Sequence, residues 1–407
     1  MFRVLANSWP LLLGVMLLMV GNGMQSTLLG IRGSIEGFTT FQISIVMSAY
    51  FVGFLGGSQL APSLIGKVGH VRVFSALGSA ISAILVIYPV APDWIAWAGM
   101  RVVMGFCFSG VYVTAESWLN DTATNETRGQ TLSLYMIVQM IGIIASQALM
   151  TVSPPEGFVL FVIPSVLVSL SFTPILLSKA PVPKFAVTQR MSFARLFRMS
   201  PLGCVGMFLI GGIYAALFGM AAVWGTLTGL SVGQISLFVA SIYLGGLLFQ
   251  YPIGWLSDRM DRRRLILVLA LVGAVFTMAG AFNPPFAVIL AVALISGGII
   301  NPLYSLLIAH TNDYIEAHEM AGASGGMIFI NGLGAITGPL IVGWVIGAVG
   351  PGGFFIYVAL LMLLMALYAA YRMTRRAAPA QTGAYTGLVP TAGAVALNAV
   401  RDKKSSD

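Results

Sequence analysis

The sequence predicts an all-α membrane protein, with twelve transmembrane helices arranged as two pseudo-symmetric six-helix halves. Three observations carry this reading. First, 58% of residues are hydrophobic and 8% charged, with a mean hydropathy of +0.92; a water-soluble domain carries about 25% charged residues. Second, apolar runs long enough to cross a hydrocarbon core of ~30 Å recur along the chain. Third, the chain matches itself without gaps at an offset of 192 residues. Gln42-Ile43-Ser44 returns as Gln234-Ile235-Ser236, Gly53 as Gly245, Leu64 as Leu256, Arg72 as Arg264, Gly105 as Gly297 and Tyr112 as Tyr304. A membrane chain built from two parallel repeats points to a secondary transporter.

Taken in order, the spans are 9–30, 41–65, 72–91, 94–119, 130–152 and 157–178 in the first half, then 202–227, 234–256, 263–282, 284–309, 321–348 and 352–374 in the second. The start resembles a signal peptide, but its apolar run continues to Leu29 and no small-residue cleavage site follows, so it is read as a span. Residues 1–178 form the N-terminal half, 179–201 a basic cytoplasmic linker and 202–374 the C-terminal half. The stretch 375–407, rich in Ala, Gly, Thr and Pro, reads as a disordered cytoplasmic tail. Forty-seven glycines suit helices that pack through small residues.

Charge sets the orientation. The net charge of +8 could indicate nucleic acid, but the basic residues sit in short loops instead of one patch. Of the 21 Lys and Arg residues, 19 fall on the side that holds the N-terminus; Arg32 lies opposite and Arg101 inside a span. The positive-inside pattern therefore places both termini in the cytoplasm, as expected of a multi-pass protein of a bacterial-type inner (plasma) membrane. Cys107 and Cys204 both fall in apolar runs and read as buried small hydrophobes, with neither disulfide nor metal spacing. No metal site or other cofactor is expected. His70, His310 and His318 fall in predicted loops, and no His/Asp/Glu cluster supports an enzyme.

Four spans carry polar or aromatic stripes. The first has Asn22, Gln25 and Ser26; the seventh has Tyr214, Phe218 and Trp224; the tenth has Gly297, Asn301 and Tyr304. On the fourth, Arg101, Gly105, Phe108, Tyr112 and Glu116 lie within about 80° of one another at 100° per residue. A stripe holding an arginine, a phenol and a carboxylate should face the bundle interior or a water-filled cavity. Arg101 and Glu116 lie about 22 Å apart along the axis, too far to pair. Arg101 could instead snorkel to the outer interface, and Glu116 could pair with Arg128 or Arg72 as a cytoplasmic lock. The substrate-cavity or coupling candidates are thus Asn22, Gln25, Arg101, Tyr112, Glu116, Tyr214, Trp224, Asn301 and Tyr304. Gln139, Gln147, Gln250 and Asn331 are weaker candidates that could serve as interhelical hydrogen bonds.

The loop after the eighth span, Gly254-Trp255-Leu256-Ser257-Asp258-Arg259-Met260-Asp261-Arg262-Arg263-Arg264-Leu265, resembles the G-x-L-a-D-r-x-G-r-r-x-x-l signature of the major facilitator superfamily, with Asp261 in place of its second glycine. Arg101-Val102-Val103-Met104-Gly105 is similar to that family's R-x-x-x-G pattern. Ala115-Glu116-Ser117-Trp118-Leu119-Asn120, followed by Arg128-Gly129, resembles the YcaD-like subgroup. The resemblance implies that the first, fourth, seventh and tenth helices line a central cavity. It also implies a cytoplasmic gate at Arg128, Gly254, Asp258, Arg259, Arg262 and Arg263; pseudo-symmetry places the end of the eighth helix near Arg128, where Asp258 either latches one half to the other or serves as a topology signal with a solvated ion pair. In the first-half copy of the loop, Gly66 replaces the acid.

The expected function is secondary active transport, by alternating access, of a small polar or amphipathic solute across the inner membrane; Arg101 is compatible with an anionic one. No G-x-x-x-x-G-K-[ST] loop supports ATP as the energy source. The expected partners are a small-molecule substrate, a proton as a coupling ion to test, and the lipid bilayer, with no nucleic acid and a monomeric carrier. Two alternatives stand beside this reading. Proton-coupled multidrug efflux is weakened because the fifth span lacks a Gly-Pro antiporter signature, Gly338-Pro339 in the eleventh being a partial echo. A non-transporting membrane sensor or interaction protein is the alternative from another class.

Overall fold

A computed structural model describes residues 2–122, 128–176, 191–316 and 319–375. Among them, twelve helices are long and apolar enough to cross a membrane. Helices 1 to 5 are Phe2–Ile35, Thr40–Val68, His70–Ile87, Trp94–Thr122 and Arg128–Leu149. Helix 6 runs as Val159–Ser171 and, after a turn at Phe172, Thr173–Leu176. Helix 7 is interrupted at Met220, giving Pro201–Gly219 and Ala221–Leu227. Helices 8 to 12 are Val232–Ser257, Arg262–Ala279, Phe286–Asn312, Met320–Val349 and Gly353–Arg375. Large apolar side chains such as Leu248, Val275, Trp344 and Leu367 are exposed, as suits a surface whose solvent is lipid and whose backbone is satisfied within helices.

The internal repeat has a physical cause at both ends of its match. Thr39 accepts from the backbone N–H of Gln42, and the Gln42 side chain accepts from the N–H of Thr39, forming a capping box at the start of helix 2. Ser231 and Gln234 do the same for helix 8. Two orphan donors of each helix are thereby satisfied, which explains the repeated glutamine. The repeated glycines mark a close helix crossing. A Cβ at Gly53 would overlap the Val102 carbonyl, and one at Gly105 the Tyr50 carbonyl. In the second half, Gly245 faces the Leu294 carbonyl and Gly297 the Ile242 carbonyl in the same way. Helices 2 and 4, and helices 8 and 10, therefore touch backbone to backbone, as small residues allow in a membrane.

The halves meet chiefly through helix 2 against helix 11, helix 5 against helix 8 and helix 1 against helix 7. Named contacts between them gather toward the face opposite the termini. Ser48 donates to the Ile336 carbonyl at 2.5 Å. Gly343 lies against Ser44, Gly30 against Ala222 and Val223, and Gly219 against Met47. At that same face Arg32 pairs with Glu36 at 2.6 Å and donates to the Pro155 and Glu156 carbonyls.

Some expectations change. The first span extends to Ile35. The sequence-derived linker contains a short helix, Phe193–Met199, where Arg195 pairs with Glu319 at 2.6 Å. Ser200 then accepts from Gly203 N–H, and Pro201 opens helix 7. His70 and His310 are not in loops: both are helical and buried. His318, the tail beyond Arg375 and residues 177–190 of the linker lie outside the described residues.

Candidate functional site: a cavity between the halves

A cavity of about 130 Å³ lies between the two halves near the middle of the bundle. Helices 1, 2, 4 and 5 wall it from one side, and helices 7, 8, 10 and 11 from the other. Four of the sequence candidates line it: Asn22, Arg101, Tyr214 and Asn301.

The first-half wall is a hydrogen-bonded polar network. Arg101 is 2% exposed. Its Nη1 donates to Gln25 Oε1 at 3.0 Å, its Nη2 lies 3.4 Å from Met47 Sδ, and its guanidinium sits 4.6 Å above the Tyr50 ring. Gln25 in turn donates to Asn22 Oδ1 at 2.9 Å, and Asn22 Nδ2 donates to the Tyr112 hydroxyl at 2.8 Å. Gln25 and Tyr112 thus hold the wall from behind. Arg101 reaches inward and does not snorkel. It forms no ion pair with a carboxylate among the described residues, and its buried Nε has no hydrogen-bond partner.

The second-half wall is aromatic. Tyr214 donates to Asn301 Oδ1 at 2.8 Å, and Asn301 Nδ2 donates back to the Gly297 carbonyl one turn away. The Tyr214 and Phe218 rings stack at 5.2 Å between centroids, and those of Phe218 and Tyr243 at 4.5 Å. Stacked pairs at such separations contribute about 0.5–1.5 kcal/mol beyond area burial. The 192-residue register brings Asn22, Gln25, Ser26 and Arg101 onto Tyr214, Leu217, Phe218 and Ala293. The polar face of one half is replaced, position by position, by an apolar and aromatic face in the other.

Three candidates sit elsewhere. Trp224 does not line the cavity: it packs against Phe238, Phe354 and Phe355 at 4.8, 5.8 and 5.0 Å. The break at Met220 separates it from the helical face that carries Tyr214. Tyr304 is buried behind Tyr214, edge-on at 6.2 Å. Glu116 is fully buried and lies within electrostatic reach of Tyr135, Tyr112 and, across the seam, Tyr304. Among the described residues it is the one carboxylate inside a spanning segment. Arg72 is exposed and forms no ion pair with Glu116 among the described residues; the Arg128 side chain lies outside them. The weaker candidates include true interhelical bonds: Gln147 donates to the Gly23 carbonyl, Gln250 to Ser305 and Asn331 to the Met207 carbonyl. Gln139 and Asn331 also reach the cavity.

At the face that carries the termini, the loop from Gly254 to Leu265 holds its charges in a set order. Arg262 Nη1 contacts both oxygens of Asp313 at 2.7 Å, and its Nε donates to Ser257 at 3.1 Å. Asp258 lies 3.5 Å from Arg262 and is 41% exposed, so within the described side chains its neighbour belongs to its own loop. Arg259 folds back over Trp255, 4.0 Å from the ring centre. Asp261 accepts from Arg263 N–H to cap helix 9 and pairs with the Arg263 guanidinium at 2.8 Å. That hydrogen bond holds the Asp261 carboxyl below the usual carboxylate range, and the cap accounts for an acid where the signature has glycine. Asp313 was missed from sequence. Its one signal is the register, which places Arg262 on His70 and Asp313 on Asp121. His70 is buried and its Nε2 lies 2.9 Å from Ser117 Oγ.

Comparison with known proteins agrees with this architecture. The chain is 25% identical to the uncharacterized MFS-type transporter YcaD of Salmonella arizonae over 336 residues, 81% of this chain and 86% of that protein. Among solved structures, the nucleoside transporter NupG (D323A mutant) superimposes with a TM-score of 0.77 at 15% identity, over 89% of this chain and 99% of that one. The human organic anion transporter MFSD10 gives 0.63 at 13% identity, over 89% and 98%. The family model for the Major Facilitator Superfamily matches twice, at residues 11–233 and 202–404, one match beginning in each half. With its repeat, its twelve spans and its seam cavity, the chain belongs to the major facilitator superfamily.

Proposed function

We propose that this protein is a secondary carrier that moves a small polar or amphipathic solute across the inner membrane by alternating access, with both termini in the cytoplasm. The observation that carries the reading is the cavity itself. It lies midway through the bundle and is walled by equivalent helices of both halves, so rocking one half against the other exposes it to one side and then the other. The contacts between halves at the face opposite the termini represent the closed outer gate, and the loop around Asp258 and Arg262 forms the gate region at the cytoplasmic face. Asp258 engages the start of helix 5 when that face closes. Glu116, buried beside phenols from both halves, is the group through which a proton would be coupled. The relatives named as nucleoside and organic anion transporters support transport in general, without supplying the cargo.

The test is reconstitution in proteoliposomes with cysteines at Ser44 and Gly343. A Cβ at Gly343 would lie 2.6 Å from that of Ser44, inside the ~3.5–4.5 Å that a disulfide spans, so the two helices need to part by only about 1 Å for the bridge to form. Oxidation should lock the outer gate shut and stop solute exchange, and reduction should restore it. Exchange that continues with the cross-link formed would refute the reading.

A further inference from the structure

The two cavity walls differ in a way that narrows the substrate class; this step rests on the carrier reading above. Arg101 bears the one formal charge among the described residues that line the cavity. It is buried, has no carboxylate partner among the described residues, and keeps an unpartnered Nε. A desolvated cation without a counter-ion is costly even on the most lenient membrane scale. Water can offset that cost while the cavity is wet. Once both gates close, the cavity must contain a counter-charge. Gln25 and Tyr50 orient the guanidinium, by a hydrogen bond and by a ring face, yet neither neutralises it. The facing wall offers no second cation: Ala293 stands at the register position of Arg101. It offers the Tyr214, Phe218 and Tyr243 stack instead.

We infer that the substrate is an organic monoanion with one flat aromatic or conjugated ring. Its acid group sets against Arg101 on the first half, and its ring against Phe218 and Tyr243 on the second. A volume of about 130 Å³, against the ~150 Å³ of a cavity that accommodates benzene, leaves no room for a second ring, and the walls must part slightly to admit one ring with its acid group. A dianion would leave one charge unpaired, and a lipophilic cation would meet Arg101 with no compensating acid. Because the two ends of the ligand bind opposite halves, binding itself draws the halves together, as a carrier that closes around its cargo requires.

The test uses the purified full-length protein in nanodiscs and reads saturable binding by calorimetry and thermal shift. Benzoate is the probe; acetate, chloride, benzyl alcohol and benzyltrimethylammonium are the comparisons. Benzoate should bind at least tenfold more tightly than each of these. Arg101→Gln should bring benzoate down to the affinity of benzyl alcohol, and Phe218→Ala should bring it down to that of acetate. Acetate or chloride binding as tightly as benzoate would overturn the inference, reducing the site to a simple anion pocket. Tightest binding of benzyltrimethylammonium, or no saturable benzoate binding at all, would also overturn it. These outcomes come from the unaltered protein and hold even where Arg101→Gln fails to insert. The carrier reading fails separately: selective benzoate binding with no benzoate counterflow in proteoliposomes would reject transport of this class, while gates that alternate without selective benzoate binding would reject the substrate class alone.

Discussion

Replacing Arg262 with Ala is expected to destabilise the protein far more than any change at Asp258, although the family signature draws the eye to the aspartate. Arg262 and Asp313 have side chains only 2% and 1% exposed, with two contacts of 2.7 Å between them. Removing the arginine leaves a buried carboxylate without its main partner, a loss of about 3–5 kcal/mol. Asp258 is 41% exposed and 3.5 Å from the same arginine, an arrangement that contributes at most about 1 kcal/mol. Against a total stability of roughly 5–15 kcal/mol, the first change should be visible as a large fall in resistance to SDS unfolding in bicelles. Asp258→Asn should move the curve less than Arg262→Ala does and act chiefly on the balance between gate states. Combining Arg262→Ala with Asp313→Asn should cost less than the two changes summed, by about 0.5–3 kcal/mol, because the pair acts as a unit. If Arg262→Ala and Asp258→Asn shift the unfolding curve equally, the buried pair is not what holds this loop.

Other expectations follow from the same geometry. Gly245→Ala should place a methyl on the Leu294 carbonyl and cost about 1–3 kcal/mol or more by overpacking, while Gly347→Ala, which meets nothing, should be tolerated; thermal unfolding of the two variants decides. Because hydrogen bonding to Arg263 depresses the Asp261 pKa, its contribution should be complete above the unfolded-state value of about 3.9. It should be lost as pH falls through the lower folded value, so Asp261→Asn should flatten the acid limb of a stability–pH profile by lowering stability at neutral pH while leaving it little changed below the folded value. Trp224→Phe should preserve ligand binding, since Trp224 packs among Phe238, Phe354 and Phe355. Tyr214→Phe should weaken binding several-fold by freeing Asn301, and calorimetry on both variants checks the contrast.

Much of the architecture was legible because membrane helices announce themselves by length and apolarity, and because the repeat needs no gaps. The reason for the repeat was not legible. Gln42 and Gln234 close capping boxes, and Gly53, Gly105, Gly245 and Gly297 sit where backbones touch; both are relations between residues that a string shows only as identity. The stripe on helix 4 brought Arg101 to the cavity, since one uninterrupted helix keeps its angular register. The same arithmetic failed for Trp224, because the interruption at Met220 resets the register between it and Tyr214. Glu116 shares the stripe of Arg101 yet sits beyond the cavity, for the stripe fixes direction and not depth. Asp313 lies 51 residues from the arginine it pairs with, and no local pattern marks it.

The central claim, that two halves rock about a shared cavity, is tested most directly by paired distances at the two faces. Spin labels on cysteines at Val68 and Arg264 report the face that carries the termini, and labels at Val90 and Phe282 report the opposite face; all four positions are exposed. In liposomes, each pair should show two populations that move in opposite senses when benzoate is added, and the Ser44–Gly343 cross-link should collapse both pairs to the state closed at the outer face. A single fixed distance at both faces, or two faces that widen and narrow together, would contradict alternating access in this protein.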